Sequence, residues 1–220
     1  MRTFILLICF FNHTHLVGQS KLDIKYSAEV CSCLDSLKIK GFNEQNFPEC
    51  FQKAMQQNID LLARETKKQY GDTSEENGYK FGKDLAERMS ISLVKSCKSY
   101  FILTDSMRYN DFRNLNEDSI RFQIKRIKET ENSKQDDELL INKALLFFEL
   151  KMYDSALINL EKALAINSNN IQACYLKAWI YEIKGNYNEA ILLYNKVAEL
   201  THMNSYYIFS EIAKRKKNGM

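Results

Sequence analysis

The chain has 220 residues, enough to bury the core of one large domain or two small ones. Its 31 basic and 28 acidic side chains nearly cancel, so no net field attracts nucleic acid, and we expect none as a partner. A single proline, seven glycines and recurring helical spacing predict an all-α protein without strands.

The first 19 residues have the layout of a secretory signal peptide. One charge, Arg2, precedes an apolar run from Phe4 to Phe11 and a polar patch. This run is too short to span a hydrocarbon core, which needs about 20 residues, and no later segment is long and apolar enough. We therefore expect cleavage near Gly18 to Ser20 and export of a soluble protein. The bias toward lysine, asparagine and isoleucine favours the periplasm of a Gram-negative bacterium over eukaryotic secretion.

Residues 20–104 are predicted to form a helical domain. A first helix begins near Leu22 and ends at Gly41. A second helix runs from Pro48 to about Tyr70, and its expected buried stripe consists of Phe51, Met55, Ile59 and Leu62. A third helix is predicted from Ser74 to Thr104.

Four cysteines fall in this domain, namely Cys31, Cys33, Cys50 and Cys97. Four thiols in an exported helical domain predict two disulfides. Cys31 and Cys33 lie about 200° apart around a helix, so each is expected to meet a different partner. Two pairings remain open: Cys31 to Cys97 with Cys33 to Cys50, or the swapped pairs.

Two sharper interpretations of the cysteines compete with structural disulfides. Cys31 and Cys33 could form a redox pair, although C-x-C lacks the spacing of thioredoxin-like enzymes. A four-thiolate zinc site is the other alternative, but the spacing is not that of two C-x-x-C knuckles. Cys174, further along the chain, is expected to be buried as a small apolar residue.

Residues 105–136 are predicted to be a linker with a connecting helix. The stretch from Asp105 to Asn116 is polar and broken, and helical spacing returns near Asp118 to Glu129. The local basic clusters, including Lys214 to Lys217, fall on predicted helices and are expected to be solvated.

From Asp137 onward, residues of the same type recur after 34 positions. The matching pairs are Ala144 with Ala178, Phe147 with Tyr181, Tyr153 with Tyr187, and Ala156 with Ala190. Small residues at these points let two helices cross closely, and the aromatic residues fill the space between successive hairpins. Asp154 and Asn188 are expected to be the N-caps of the second helices.

These residues resemble the tetratricopeptide repeat family, most clearly in Ala173 to Val197, where Trp179, Gly185, Tyr187, Ala190 and Tyr194 stand at family positions. In the first repeat Lys151 replaces the usual glycine. The resemblance implies repeats at residues 137–170 and 171–204, followed by a capping helix at 205–217. The N-terminal domain is only faintly similar to uncharacterised helical domains of exported bacterial proteins.

The family resemblance implies a protein or peptide partner held on the concave side, which the first helix of each repeat lines. The positions concerned are Ile141, Leu145, Phe148, Tyr175, Trp179, Glu182 and Ile183. This apolar and aromatic side with acidic edges suits an amphipathic helix or an extended peptide with basic residues. The alternative is that the protein's own N-terminal helices cover it.

Catalysis has no positive signal in the sequence. After removal of the signal peptide only His202 remains, and the chain has neither a G-x-G-x-x-G motif nor a P-loop. We therefore expect no enzyme activity, catalytic residue, cofactor, metal or small-molecule substrate. The expected function is a protein-interaction module or scaffold, with a thiol-disulfide oxidoreductase or a structural subunit of an envelope complex as alternatives.

Overall fold

The computed structural model describes residues 20–38, 47–110, 116–130 and 136–219. The predicted signal peptide and the helix end predicted at Gly41 lie outside these residues. Within them the fold is all-α, as predicted, with eleven α-helices. Their bounds are α1 Lys21–Lys38, α2 Phe47–Gln57, α3 Ile59–Tyr70, α4 Glu75–Ser96, α5 Lys98–Asn110, α6 Glu117–Thr130, α7 Asp137–Glu149, α8 Tyr153–Ile166, α9 Ile171–Ile183, α10 Tyr187–Thr201 and α11 Tyr207–Lys217.

The N-terminal helices share one hydrophobic core, with α1 packed against α2, α4 and α5. Helix α1 places Leu22, Tyr26, Val30 and Leu34 on one face at four-residue spacing, and all four are buried. Helix α4 supplies the opposite wall, where Met89 is fully buried.

The second predicted helix is interrupted at Asn58, so the prediction of one continuous helix is wrong. Asn58 is buried, and its amide donates to the carbonyl of Ala54 at 2.8 Å and to the Glu29 carboxylate of α1. A side chain that bonds its own backbone competes with the regular helix ladder. The polar contact with α1 thus fixes the junction between α2 and α3.

Two residues of the predicted buried stripe, Met55 and Ile59, are 48% and 63% exposed. They lie beside the Asn58 junction and line an apolar groove of about 440 Å³ between α2, α3 and α4. The expectation that they belong to the core was therefore incorrect, because the stripe faces this groove where the two short helices meet.

The third predicted helix is also interrupted, at Cys97, whose φ of −105° and ψ of 116° are extended. Arg215 of α11 donates to the carbonyl oxygens of Val94 at 2.6 Å and Cys97 at 3.0 Å. These bonds satisfy carbonyl groups at the end of α4. Beyond the break, α5 continues to Asn110, so the linker predicted to begin at residue 105 starts instead as helix.

The four helices α7 to α10 form two hairpins in the predicted register, since α7 and α9 begin 34 residues apart, as do α8 and α10. Ala156 and Ala190 are fully buried, as expected for small residues at a close helix crossing. The turn within each hairpin requires a left-handed residue, which is Gly185 with φ 80° in one and Lys151 with φ 58° in the other.

The second helix of each hairpin starts one residue before the predicted N-cap. Tyr153 and Tyr187 are already helical, and no side chain caps either start. Asp154 and Asn188 thus lie inside the first turn. The Asp154 carboxylate instead forms an ion pair with Lys184 of the neighbouring hairpin.

Helices at both ends cover the pair of hairpins. Helix α6 places Ile120 and Ile124 in the core of the first hairpin. Helix α11 packs on α10 and also on α4, and its Ile212 is fully buried in the N-terminal core. The cap therefore joins the hairpins to the N-terminal helices.

The basic run at the end of α11 is not uniformly solvated, contrary to expectation. Arg215 is buried under α4, and the side chain of Lys216 is only 20% exposed. Lys214 and Lys217 remain exposed. None of the described helices is long and apolar enough to cross a membrane.

Candidate functional site

The four N-terminal cysteines form two disulfides, and the structure selects the first of the two predicted pairings. Cys31 bonds Cys97 with Cα atoms 5.6 Å apart, and Cys33 bonds Cys50 at 5.5 Å. As the helical spacing predicted, Cys31 and Cys33 have different partners. The pairs fasten α1 to α2 and to the junction between α4 and α5.

The structure gives these cysteines no free thiolate. The sulfurs of Cys31 and Cys97 and a carboxylate oxygen of Asp35 lie within 4.8 Å of one another, close enough for a metal site. The two sulfurs are, however, bonded to each other. Among the residues that the structure describes, Cys174 is free; it is buried, and desolvation raises the pKa of its thiol. Burial as a small apolar residue is thus what the structure shows for Cys174.

The seven predicted groove residues come together on the inner face of α7 and α9, but most are covered. Trp179 is 5% exposed, and Ile141, Phe148 and Glu182 are also buried. Leu145, Tyr175 and Ile183 are half-buried. In the second hairpin the concave side is therefore covered by the protein's own helices, as the alternative expectation held. The covering helices are α5 and α11.

Helix α11 covers Tyr175 through aromatic contacts. The ring of Phe209 lies 5.2 Å from that of Tyr175 and 5.7 Å from that of Tyr194, measured between centroids. Tyr206 adds a further edge contact with Tyr175 at 5.9 Å. Aromatic rings at such distances and tilts contribute attraction beyond their buried area.

Helix α5 reaches the same place through one long side chain, that of Arg108. Its guanidinium carbon lies 5.0 Å from the ring centroid of Trp179, 5.9 Å from Tyr194 and 5.1 Å from Phe209. Its two terminal nitrogens donate to the Glu182 carboxylate, with the shortest distance 3.0 Å. We call these three rings and Glu182 the arginine cage.

The arginine cage is part of a larger ionic network inside the protein. Glu182 Oε2 also accepts from the Tyr194 hydroxyl at 2.8 Å, and Glu182 Oε1 accepts from Lys216 Nζ at 2.8 Å. Lys216 in turn donates to Asp105 at 2.7 Å. Two cations and two carboxylates thus balance in a region where the Glu182 side chain is 0% exposed.

The electrostatics favour a charged Arg108 and a neutral Tyr194. Burial lowers the pKa of Arg108, but the negative charge of Glu182 and its hydrogen bonds with the guanidinium outweigh this effect, so the pKa of Arg108 is raised. Desolvation raises the pKa of Tyr194 well above its ordinary value. Because Tyr194 is then uncharged at neutral pH, Glu182 supplies the negative charge that holds Arg108.

Sequence reasoning did not find Arg108, because it lies in the segment predicted to be a linker, 74 residues before Glu182. Phe209 and Lys216 were assigned only to the capping helix. The one available signal was Glu182 itself, an acidic side chain on an otherwise apolar helix face.

The comparison with protein families agrees with the two hairpins of the fold. A family model described as tetratricopeptide repeat matches residues 137–170 and 171–201. Comparisons with curated proteins and with solved structures found no match. The two hairpins α7–α8 and α9–α10, residues 137–201, are therefore tetratricopeptide repeats.

Proposed function

We propose that the protein is an exported interaction module, and that the concave side of its tetratricopeptide repeats binds a segment of another protein. The observation that carries this proposal is the pair of repeats at residues 137–201, since stacked helical repeats create extended concave binding surfaces. The role is binding and not catalysis.

The part of the concave side that is open for a partner lies mainly on the first repeat. Leu145 and Glu149 of α7 and Ile183 of α9 are half-buried. Desolvation raises the pKa of Glu149, which fits a carboxylate at the edge of an apolar surface. A partner segment with apolar side chains and a basic residue complements this combination.

Export to an oxidising compartment, the periplasm of a Gram-negative bacterium, is part of the proposal. The two disulfides support it, because disulfides persist in secreted and periplasmic proteins and are rare in the cytosol. The sequence of residues 1–19 supports it independently. Fusing about the first 30 residues to a reporter enzyme that is active only after export would test this part.

The cysteine pairing favours binding over the thiol-disulfide alternative. A redox pair made of Cys31 and Cys33 would join these two sulfurs to each other. Instead Cys33 is bonded to Cys50 of α2 and Cys31 to Cys97 at the junction between α4 and α5, and both partners are fully buried. Buried structural disulfides are poor substrates for exchange.

The binding surface can be tested with two matched double variants. Leu145→Ser with Ile183→Ser alters the half-open concave side, and Ile158→Ser with Leu192→Ser alters equivalent, exposed positions of α8 and α10. A partner identified with the parent protein should be lost by the concave variant and kept by the outer variant, with both variants still folded at the temperature of the binding assay. Loss only in the outer variant would refute the concave site.

A further inference from the structure

We infer that the arginine cage is a recognition site for an arginine side chain of the partner, and that Arg108 occupies it as an internal substitute. This inference rests on the proposed function, because it names the partner's chemistry and the control of the same concave side. In the closed protein Arg108 blocks the second repeat, and a partner arginine takes its place.

The cage matches a guanidinium group more closely than any other cation. Both terminal nitrogens of Arg108 donate to the Glu182 carboxylate, to Oε2 at 3.0 and 3.1 Å and to Oε1 at 3.3 Å. A single ammonium nitrogen cannot place donors at both positions. Trp179 and Phe209 lie 5.0 and 5.1 Å from the guanidinium carbon, within the range of cation–π attraction.

The walls of the cage do not depend on Arg108. Trp179 and Tyr194 belong to the repeats, and Phe209 belongs to α11, which is held in place by the fully buried Ile212 and by the bonds of Arg215 to the end of α4. The cage should therefore persist when Arg108 leaves it.

Arg108 lies in the last turn of α5, far from the disulfide that holds the start of this helix in place. The disulfide at Cys97 holds that start, and Arg108 follows about three turns further along. Asp105, one turn earlier, is tied to α11 through Lys216. Helix ends open at a lower free energy than helix interiors. Arg108 can therefore leave the cage by a movement confined to the end of α5.

Removing Arg108 leaves the cage ready for another cation. The network then holds the carboxylates of Asp105 and Glu182 against the single ammonium group of Lys216. A buried, uncompensated carboxylate strongly favours binding of a new positive charge. An arginine from a partner restores both the charge balance and the paired hydrogen bonds.

The test uses the variant Arg108→Ala and the probe N-acetyl-arginine amide. Trp179 is the only tryptophan of the chain and forms a wall of the cage, so its fluorescence reports on occupancy directly. The variant should bind the probe more tightly than the parent by about ten-fold or more, because an intramolecular occupant competes at high effective concentration. The matched control is Arg121→Ala, which removes an exposed arginine of α6 and should behave like the parent.

Two further probes define the chemistry. The citrulline counterpart has nearly the same shape without the charge and should not bind, and the lysine counterpart should bind more weakly than the arginine probe. Equal binding of the arginine and citrulline probes would overturn the inference. So would a folded Arg108→Ala variant that binds the arginine probe no more tightly than the parent.

Folding of the variant is itself informative. If Arg108→Ala folds only when the arginine probe is present, that rescue supports the inference. If neither Arg108→Ala nor Arg108→Gln folds even with the probe, Arg108 is a fixed part of the core and the inference fails. If the cage binds the probe but binding of a partner does not depend on Leu145 and Ile183, the inference about the cage holds and the proposed function is refuted.

Discussion

Replacing Trp179 with alanine measures whether the concave side of the second repeat is core or open surface. The indole is 5% exposed and lies 4.9 Å from the ring of Phe148 and 6.1 Å from that of Tyr175, between centroids. Truncation of a buried tryptophan to alanine costs about 3 to 5 kcal/mol. Since each kcal/mol shifts the melting temperature by about 2 to 4 °C in a chain of this size, we expect a fall of about 6 to 20 °C.

The assay is thermal unfolding followed by far-ultraviolet circular dichroism, because the variant has lost its only tryptophan. Leu192→Ala is the matched control, since Leu192 is 69% exposed and its truncation should change stability by no more than about 0.5 kcal/mol. A Trp179→Ala variant that melts within about 2 °C of the parent would refute the covered arrangement, because it would behave like a surface substitution.

Three further predictions use standard measurements. A chain beginning at Ser20 should show one titratable thiol, Cys174, and only on unfolding; two or more reactive thiols in the folded protein would contradict the disulfides. Ala190→Leu should destabilise the protein by about 1 to 3 kcal/mol or more in denaturant unfolding, because the fully buried helix crossing cannot accept a larger side chain, and a neutral effect would contradict the repeat register. Glu149→Gln should raise the melting temperature at pH 7 but not at pH 3. The pKa of Glu149 is raised in the folded state, so the folded protein loses stability as the pH rises from the pKa of Glu149 in the unfolded chain through its pKa in the folded protein. An equal effect of the substitution at both pH values would count against this reasoning.

The architecture of the repeats could be predicted from the sequence because its determinants are local and periodic. Residues 34 positions apart perform the same packing role, so the register follows from counting. Even the departure at Lys151 did not change the turn, since that residue adopts the left-handed conformation of Gly185. The N-cap assignments at Asp154 and Asn188 were two residues too late, since the N-caps are Met152 and Asn186, because the boundary depends on turn geometry that propensity does not resolve.

The breaks at Asn58 and Cys97 could not be predicted from periodicity, because both are fixed by partners distant in the chain. Asn58 is tied to Glu29 of α1, and the carbonyl groups beside Cys97 bind Arg215 of α11. The helical spacing of Cys31 and Cys33 required separate partners, but only the tertiary arrangement of α2 and α4 selected between the two pairings.

The sequence by itself determined that α7 and α9 present an apolar, aromatic face with an acidic residue in it. Only the tertiary structure decided what lies on that face. Arg108 and Glu182 are 74 residues apart, and nothing in the local pattern of either segment relates them. The stability of a buried ion pair depends on the desolvation cost of both partners and on the geometry of the hydrogen bonds that offset this cost. Both are set only once the helices have packed.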